Sequence, residues 1–287
     1  MARGRADRKP PLDLLRAMVS PARVTAPEAL RALDVGAGDP VVLLHSSGMS
    51  SRQWRRLADR LAPTHRVIAP DLLGSGNNPP WPDGAPFHFD DDLAALEHLL
   101  AGIGGRVHLV GHSYGALLAL KLAQRDPARV RSLAAYDPVA WGVLHASGDP
   151  EGLADAARAV GLRDDEGGGG EAWFERFVDY WSGAGAWRAL AEPARQSFLR
   201  VGRKVFYEVR SLIDDRTPAS AYAAITAPAL FVTGELTPAA ERRVVALLAA
   251  ALPAGSFAEV AGAGHMGPLT HGDAVNALLA AHIARAG

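Results

Sequence analysis

Short, nearly continuous apolar runs recur along the chain, separated by longer stretches whose apolar positions fall three and four residues apart. The runs are VVLLH (Val41–His45), RVIAP (Arg66–Pro70), VHLVG (Val107–Gly111), VRSLAAY (Val130–Tyr136), ALFVT (Ala229–Thr233) and SFAEV (Ser256–Val260). Bounded by Gly, Pro and Asp, such runs read as strands buried on both faces. ALRALDV, from Ala29 to Val35, reads as a further strand before the turn GAGDP. Helical spacing predicts a helix from Ser50 or Ser51 through Trp54 and Leu57 to Leu61, stopped before Pro63. Others are predicted from Asp90 to Leu100, Ser113 to Arg125, Pro238 to Leu252 and Asp273 to Arg285. Regular alternation of strand and helix with short connections predicts an α/β fold, with a mostly parallel, doubly wound sheet covered by helices on both faces.

The alternation breaks after Pro138 and resumes at Ala229. Between them lie helical stretches, no convincing strand, and the run Gly167–Gly170, which reads as a flexible loop tip. The organisation expected is a core from residues 23–139 and 219–287, with a helical insertion from 140 to 218. Residues 1–22, which begin MARGRADRKP, read as a flexible basic extension. No internal repeat is visible.

Composition narrows the function. Hydrophobic residues at 48% and charged residues at 21% fit an ordinary folded protein. A formal net charge of −1 gives no global attraction for nucleic acid or an anionic membrane. Cysteine is absent, which excludes disulfides, thiolate nucleophiles and cysteine metal sites. No metal or other cofactor is expected. Pro and charge interrupt the N-terminal segment, and no apolar run is long enough to span a bilayer, so a cytoplasmic enzyme is expected.

The strongest chemical signal is Gly111-His112-Ser113-Tyr114-Gly115. Chance gives about 0.15 occurrences of G-x-S-x-G in a chain of this composition, so context has to decide. Here the motif joins the strand VHLV directly to the helix ALLALKLAQ. That setting forces the serine into a strained turn and lifts its hydroxyl to the tip. A serine hydroxyl needs a base. Among ten histidines, His265 lies in the glycine-rich loop AGAGHMGP between the last strand and last helix. Loops at strand C-termini gather on one edge of such a sheet, which brings His265 within reach. His112 leaves the turn in another direction, His98 and His108 read as packing or surface residues, and His145, His271 and His282 have no comparable setting. For the developing oxyanion, the backbone N–H of Tyr114 is one expected donor. Ser47, in the loop after VVLLH, is the other.

Together, LLHSSGMSSRQW, APDLLGSG, GHSYG, YDP and GAGHMGP resemble the α/β-hydrolase superfamily, from about Ala29 to the C-terminus. The family usually carries His-Gly after the third strand, where this chain has His45-Ser46; the match still places the oxyanion amide on Ser47. The resemblance implies that the insertion is a cap over the site. Four of the six tryptophans (Trp141, Trp173, Trp181 and Trp187) fall in it, with several Phe and Tyr, which suits an apolar acyl or aryl small-molecule substrate. Trp141 follows YDP closely and is expected at the edge of the substrate pocket. The commoner family position for the acid reads Gly234-Glu235-Leu236-Thr237 here, with threonine where the carboxylate is expected. The alternative position, used by some dehalogenases, is Asp137, leaving Asp137 and Glu235 as candidates with Asp137 preferred. Haloalkane dehalogenases and epoxide hydrolases of this fold use aspartate at the elbow, so Ser113 counts against both. A carboxylesterase with a Ser113–His265–Asp137 triad is the leading expectation. A carbon–carbon bond hydrolase or perhydrolase with the same residues, and a non-catalytic small-molecule receptor, are the alternatives. Oligomeric state is not legible.

Overall fold

The computed structural model describes residues 29–163 and 166–287. The expected basic extension, residues 1–22, therefore lies outside the described residues, as do residues 23–28 of the expected core. Seven strands form one sheet: β1 (Ala32–Val35), β2 (Asp39–Leu44), β3 (His65–Pro70), β4 (Val107–His112), β5 (Val130–Tyr136), β6 (Ala229–Gly234) and β7 (Gly255–Val260), in the order β1-β3-β2-β4-β5-β6-β7. β1 runs antiparallel to β3 and every other pairing is parallel. β1 is shorter than its predicted span because Ala29 to Arg31 precede the ladder with β3.

Strict alternation along each strand splits the core into two layers. Val42 and Leu44 face one side of the sheet with Leu109, Leu133 and Phe231. Val41 and Leu43 face the other with Val67, Val110 and Val232. Helices α1 (Arg55–Leu61) and α12 (Gly272–Ala286) cover the second layer through Leu57, Leu61, Leu279 and Ile283. Helices α2 (Phe89–Ala101), α3 (Tyr114–Arg125) and α10 (Ala239–Ala251) cover the first. Fully burying one of these leucines is worth about 1.5–3 kcal/mol. A one-residue register slip would turn the whole set to the wrong face.

Strand order reverses between β2 and β4, since the chain winds outward through β3 on one side and through β5 to β7 on the other. Crevices form at such reversals, outside the strand C-termini. The loop after β2 and the turn after β4 consequently lie side by side.

Between β5 and β6 the described residues form α4 (Gly142–Ser147), α5 (Pro150–Val160), α6 (Glu171–Ser182), α7 (Ala186–Ala189), α8 (Glu192–Arg200) and α9 (Gly202–Asp214). One expectation changes here. The run Gly167–Gly170 is no free loop tip: a Cβ on Gly168 would lie 2.1 Å from the Phe206 ring, and one on Gly169 would lie 2.4 Å from the Gly202 backbone. Small residues there let the start of α6 pack against the start of α9. A short α11 (Gly267–Thr270) precedes the last helix. Among the described residues no helix is long and apolar enough to cross a membrane.

Candidate active site

Ser113 joins β4 to α3 with φ 55° and ψ −118°. Its flanking glycines are sterically required. A Cβ at Gly111 would lie 2.3 Å from the Gly115 carbonyl oxygen, and one at Gly115 would lie 2.3 Å from that of Leu44. The turn is pinned by Ser113 N–H donating to the Tyr136 carbonyl at 2.9 Å. Ser113 is 7% exposed. Among the described residues, the other non-glycine residue with positive φ is Asp137, at 46°. Such conformations cost about 1–3 kcal/mol each and cluster at functional sites.

The sheet brings these two strained residues to opposite ends of one imidazole. The Ser113 hydroxyl lies 2.9 Å from His265 Nε2, and His265 Nδ1 lies 3.1 Å from Asp137 Oδ2. The arrangement fits a neutral ring that donates from Nδ1 and accepts at Nε2. Asp137 N–H donates to the Val232 carbonyl at 2.9 Å, which ties the acid to the end of β6. The same Oδ2 accepts the Thr237 hydroxyl at 2.9 Å. Thr237, standing where the family usually has its carboxylate, therefore bonds the carboxylate that comes from β5. Glu235 instead accepts Gly262 N–H at 2.8 Å on the exposed side of the loop, away from His265.

Two residues outside the expected triad hold the His265 loop. His112 Nε2 donates to the His265 carbonyl, and the Tyr136 hydroxyl donates to that of Gly264, both at 2.8 Å. The available signal was adjacency: His112 precedes Ser113 and Tyr136 precedes Asp137, so alternation aims both at the layer beneath the loop.

Burial governs the ionisation of these groups. It lowers His265 to about 3, which keeps the resting imidazole neutral and able to take a proton. His112 is held well below the ordinary histidine value by burial and then by the neighbouring His265. Burial pushes the Asp137 carboxyl upward, while the hydroxyls of Thr233 and Thr237 pull it back down.

As the first residue of α3, Tyr114 has a backbone N–H with no intrahelical acceptor. Ser47 follows β2 in the neighbouring loop, against which Gly115 packs. Trp141, expected at the pocket edge, is 2% exposed, and its indole N–H donates to Glu241 Oε1 at 2.5 Å. The tryptophan that meets the site is Trp181, at the end of α6. Its ring stacks on the His265 imidazole with centroids 4.0 Å apart and planes 22° apart. Trp141 lies behind it, 6.3 Å from the Trp181 ring. A cavity of about 970 Å³ is lined by Tyr180, Trp181, Leu236, Pro238, His265 and Met266. A second, of about 800 Å³, opens beside the loop after Ser47, between Met49, Phe198, Val201 and Leu269. Among the described residues no three His, Asp or Glu side chains gather to hold a metal ion.

The model of the alpha/beta hydrolase family matches residues 41–278, which span both strained residues, the histidine loop and the helical insertion. The chain belongs to the alpha/beta hydrolase family. It is 42% identical over 104 residues to 2-hydroxy-6-oxo-2,4-heptadienoate hydrolase of Pseudomonas putida, covering 35% of this chain and 37% of that one. It is 41% identical over 99 residues to lipase LipV of Mycobacterium tuberculosis, covering 34% and 36%. Over 107 residues it is 39% identical to a haloalkane dehalogenase of Mesorhizobium japonicum, covering 36% and 33%. The matched part of the chain thus spans about a third of the length of each of these relatives.

Proposed function

We propose that this hydrolase cleaves carboxylic esters through an acyl-enzyme on Ser113. The observation that carries the reading is the unbroken hydrogen-bonded chain from the Ser113 hydroxyl through His265 to Asp137. In the proposed mechanism Ser113 Oγ attacks the ester carbonyl carbon while its proton passes to His265 Nε2. The resulting oxyanion faces the backbone N–H groups of Tyr114 and Ser47. Collapse of the tetrahedral species breaks the carbon–oxygen bond, and His265 returns the proton to the departing alkoxide oxygen. Water then attacks the acyl-enzyme, giving its proton to His265, and releases the carboxylic acid with Ser113 restored. Asp137 holds the ring in one tautomer and stabilises the imidazolium that forms twice in the cycle. The insertion acts as a cap, with Trp181 and Tyr180 offering flat apolar surface to an acyl or aryl group. Ser113 argues against the reaction of the dehalogenase relative, because the resemblance assigns an aspartate to that position in those enzymes.

A second reading keeps the same residues but breaks a carbon–carbon bond. It is favoured by the Pseudomonas putida relative, whose named substrate is a ketone without an ester linkage. The test combines labelling with substrate ranking. A fluorophosphonate should add once to the wild type by intact-protein mass spectrometry and not to Ser113→Ala. A chain-length series of p-nitrophenyl esters should then be hydrolysed faster than a hydroxy-oxo-dienoate. Labelling that survives Ser113→Ala removes the nucleophile assignment, and the reverse ranking favours the second reading.

A further inference from the structure

Lys204 lies on α9 of the insertion yet is 2% exposed. Its ammonium donates to Asp92 Oδ2 at 2.7 Å and to Glu208 Oε1. It also sits over the rings of Phe87 and Tyr114, 4.5 and 5.3 Å from their centroids. Asp92 belongs to α2 of the core. Its Oδ1 accepts Leu73 N–H, and its Oδ2 accepts the Tyr114 hydroxyl, both at 2.9 Å. The proposed chemistry uses none of these charges.

Holding the insertion down does not account for the cluster. Taking one ammonium and two carboxylates out of water costs several kcal/mol per ion, and apolar residues of similar size often serve stability as well or better. Nor does the pair favour its own helix, since Lys four residues before Glu is the weaker order. Hydrogen-bonded ions fix direction, which an apolar contact does not. The side chain so fixed, that of Tyr114, belongs to a residue whose backbone amide would receive the oxyanion. The surrounding loops are braced in the same way. His45 Nδ1 donates to the Ser46 carbonyl at 2.8 Å, and His45 Nε2 accepts Leu72 N–H at 3.0 Å. The loop after β2, the loop after β3, Asp92 and the elbow residue Tyr114 thus form one frame, and Lys204 closes it from the insertion.

We propose that Lys204 is a positioning residue for the oxyanion donor on Tyr114, fixing that residue through Asp92, so that the insertion sets geometry in the core. This rests on the acyl-transfer reading above. Donors must lie about 2.7–3.1 Å from the oxyanion, so small displacements of either loop matter.

The variants are Lys204→Met, Tyr114→Phe and, as a control, Arg210→Met on the exposed side of the same helix. Each is measured for kcat and KM on p-nitrophenyl butyrate, for Tm, and for inhibition by a trifluoromethyl ketone, whose serine adduct carries the oxyanion. Lys204→Met should lower kcat by roughly 100-fold and weaken the ketone in parallel, with KM nearly unchanged, as a displacement of about 1 Å would. Tyr114→Phe, which removes one hydroxyl, should show the same pattern at about tenfold. Arg210→Met should match the wild type. If Lys204→Met fails to fold, Tyr114→Phe decides. A Tyr114→Phe enzyme with unchanged kcat and ketone affinity overturns the proposal, as does a Lys204→Met enzyme that loses only Tm. A wild type that forms neither the ketone nor the phosphonate adduct overturns the acyl-transfer reading itself.

Discussion

Exchanging the acid between two strands is the sharpest probe of the site. Asp137→Asn keeps the shape of the side chain but removes the charge that orients His265 and stabilises its cation. In a well-studied serine protease triad the same exchange costs about 10⁴ in kcat, or roughly 5.5 kcal/mol of transition-state stabilisation. A similar loss is expected here. The Thr237 hydroxyl lies 2.9 Å from the Asp137 oxygen that itself lies 3.1 Å from His265 Nδ1. An aspartate at 237 reaches one bond further than the threonine hydroxyl, toward the space that oxygen holds. The double variant Asp137→Asn/Thr237→Asp should therefore regain about 100-fold of the loss, because a positioned charge is restored even if its angle is imperfect. Thr237→Asp alone should be poor, since two carboxylates about 3 Å apart do not both ionise. Glu235→Gln should stay within about twofold of wild type, as an exposed loop hydrogen bond is worth only about 0.5–1.5 kcal/mol and does not touch His265. The assay is kcat and KM on p-nitrophenyl butyrate, with Tm recorded for every variant. Should Glu235→Gln cripple the enzyme while Asp137→Asn is nearly silent, or the double variant regain nothing in a folded protein, the assignment of the acid is wrong.

Three further outcomes are expected. Trp181→Leu should move the acid limb of kcat/KM to higher pH. Burial lowers His265 from 6.5 to about 3, an effect of about 5 kcal/mol, and admitting water reverses part of it. Loss of the ring's attraction for the imidazolium, about 0.5–2 kcal/mol, acts the other way but is smaller, so a limb that stays or moves down refutes the sign. Acid should destabilise the fold well before the carboxylates of the unfolded chain protonate. His45 and His108 are lowered to about 4, with His112 and His265 also low, all through burial. Their contribution is fully present above about pH 6.5 and is lost as pH falls toward 4, because the unfolded chain takes up protons that the folded chain refuses. Glu208 and Glu241, raised by burial, act in the opposite sense but are fewer than the lowered histidines, so Tm is expected to fall between pH 7 and pH 5. A flat or rising Tm over that range contradicts the balance. Finally, Gly115→Ala should yield little folded protein, since its Cβ would lie 2.3 Å from the Leu44 carbonyl oxygen; wild-type Tm and labelling in that variant would rule out the close approach.

Strand and helix order was legible because it rests on short-range signals. VVLLH, VHLVG and VRSLAAY are apolar runs of strand length, and G-H-S-Y-G is a steric statement about one turn. Ser113 and His265 followed from the same local rules, together with the tendency of loops to gather on one sheet edge. The choice between Asp137 and Glu235 was different. Both stand at strand C-termini, and only the tertiary structure brings Asp137 to a ring 128 residues later in the chain while turning Glu235 outward. Tryptophan content pointed to an aromatic insertion, but helix phase and packing decided that Trp181 stacks on His265 and Trp141 binds Glu241. Lys204 and Glu208 read locally as an ordinary helical pair. Their burial depends on Asp92, 112 positions before Lys204, meeting α9 across the molecule. Periodicity and turn sterics are written into neighbouring residues. Hydrogen-bond partners separated by a hundred residues are chosen only when the layers pack.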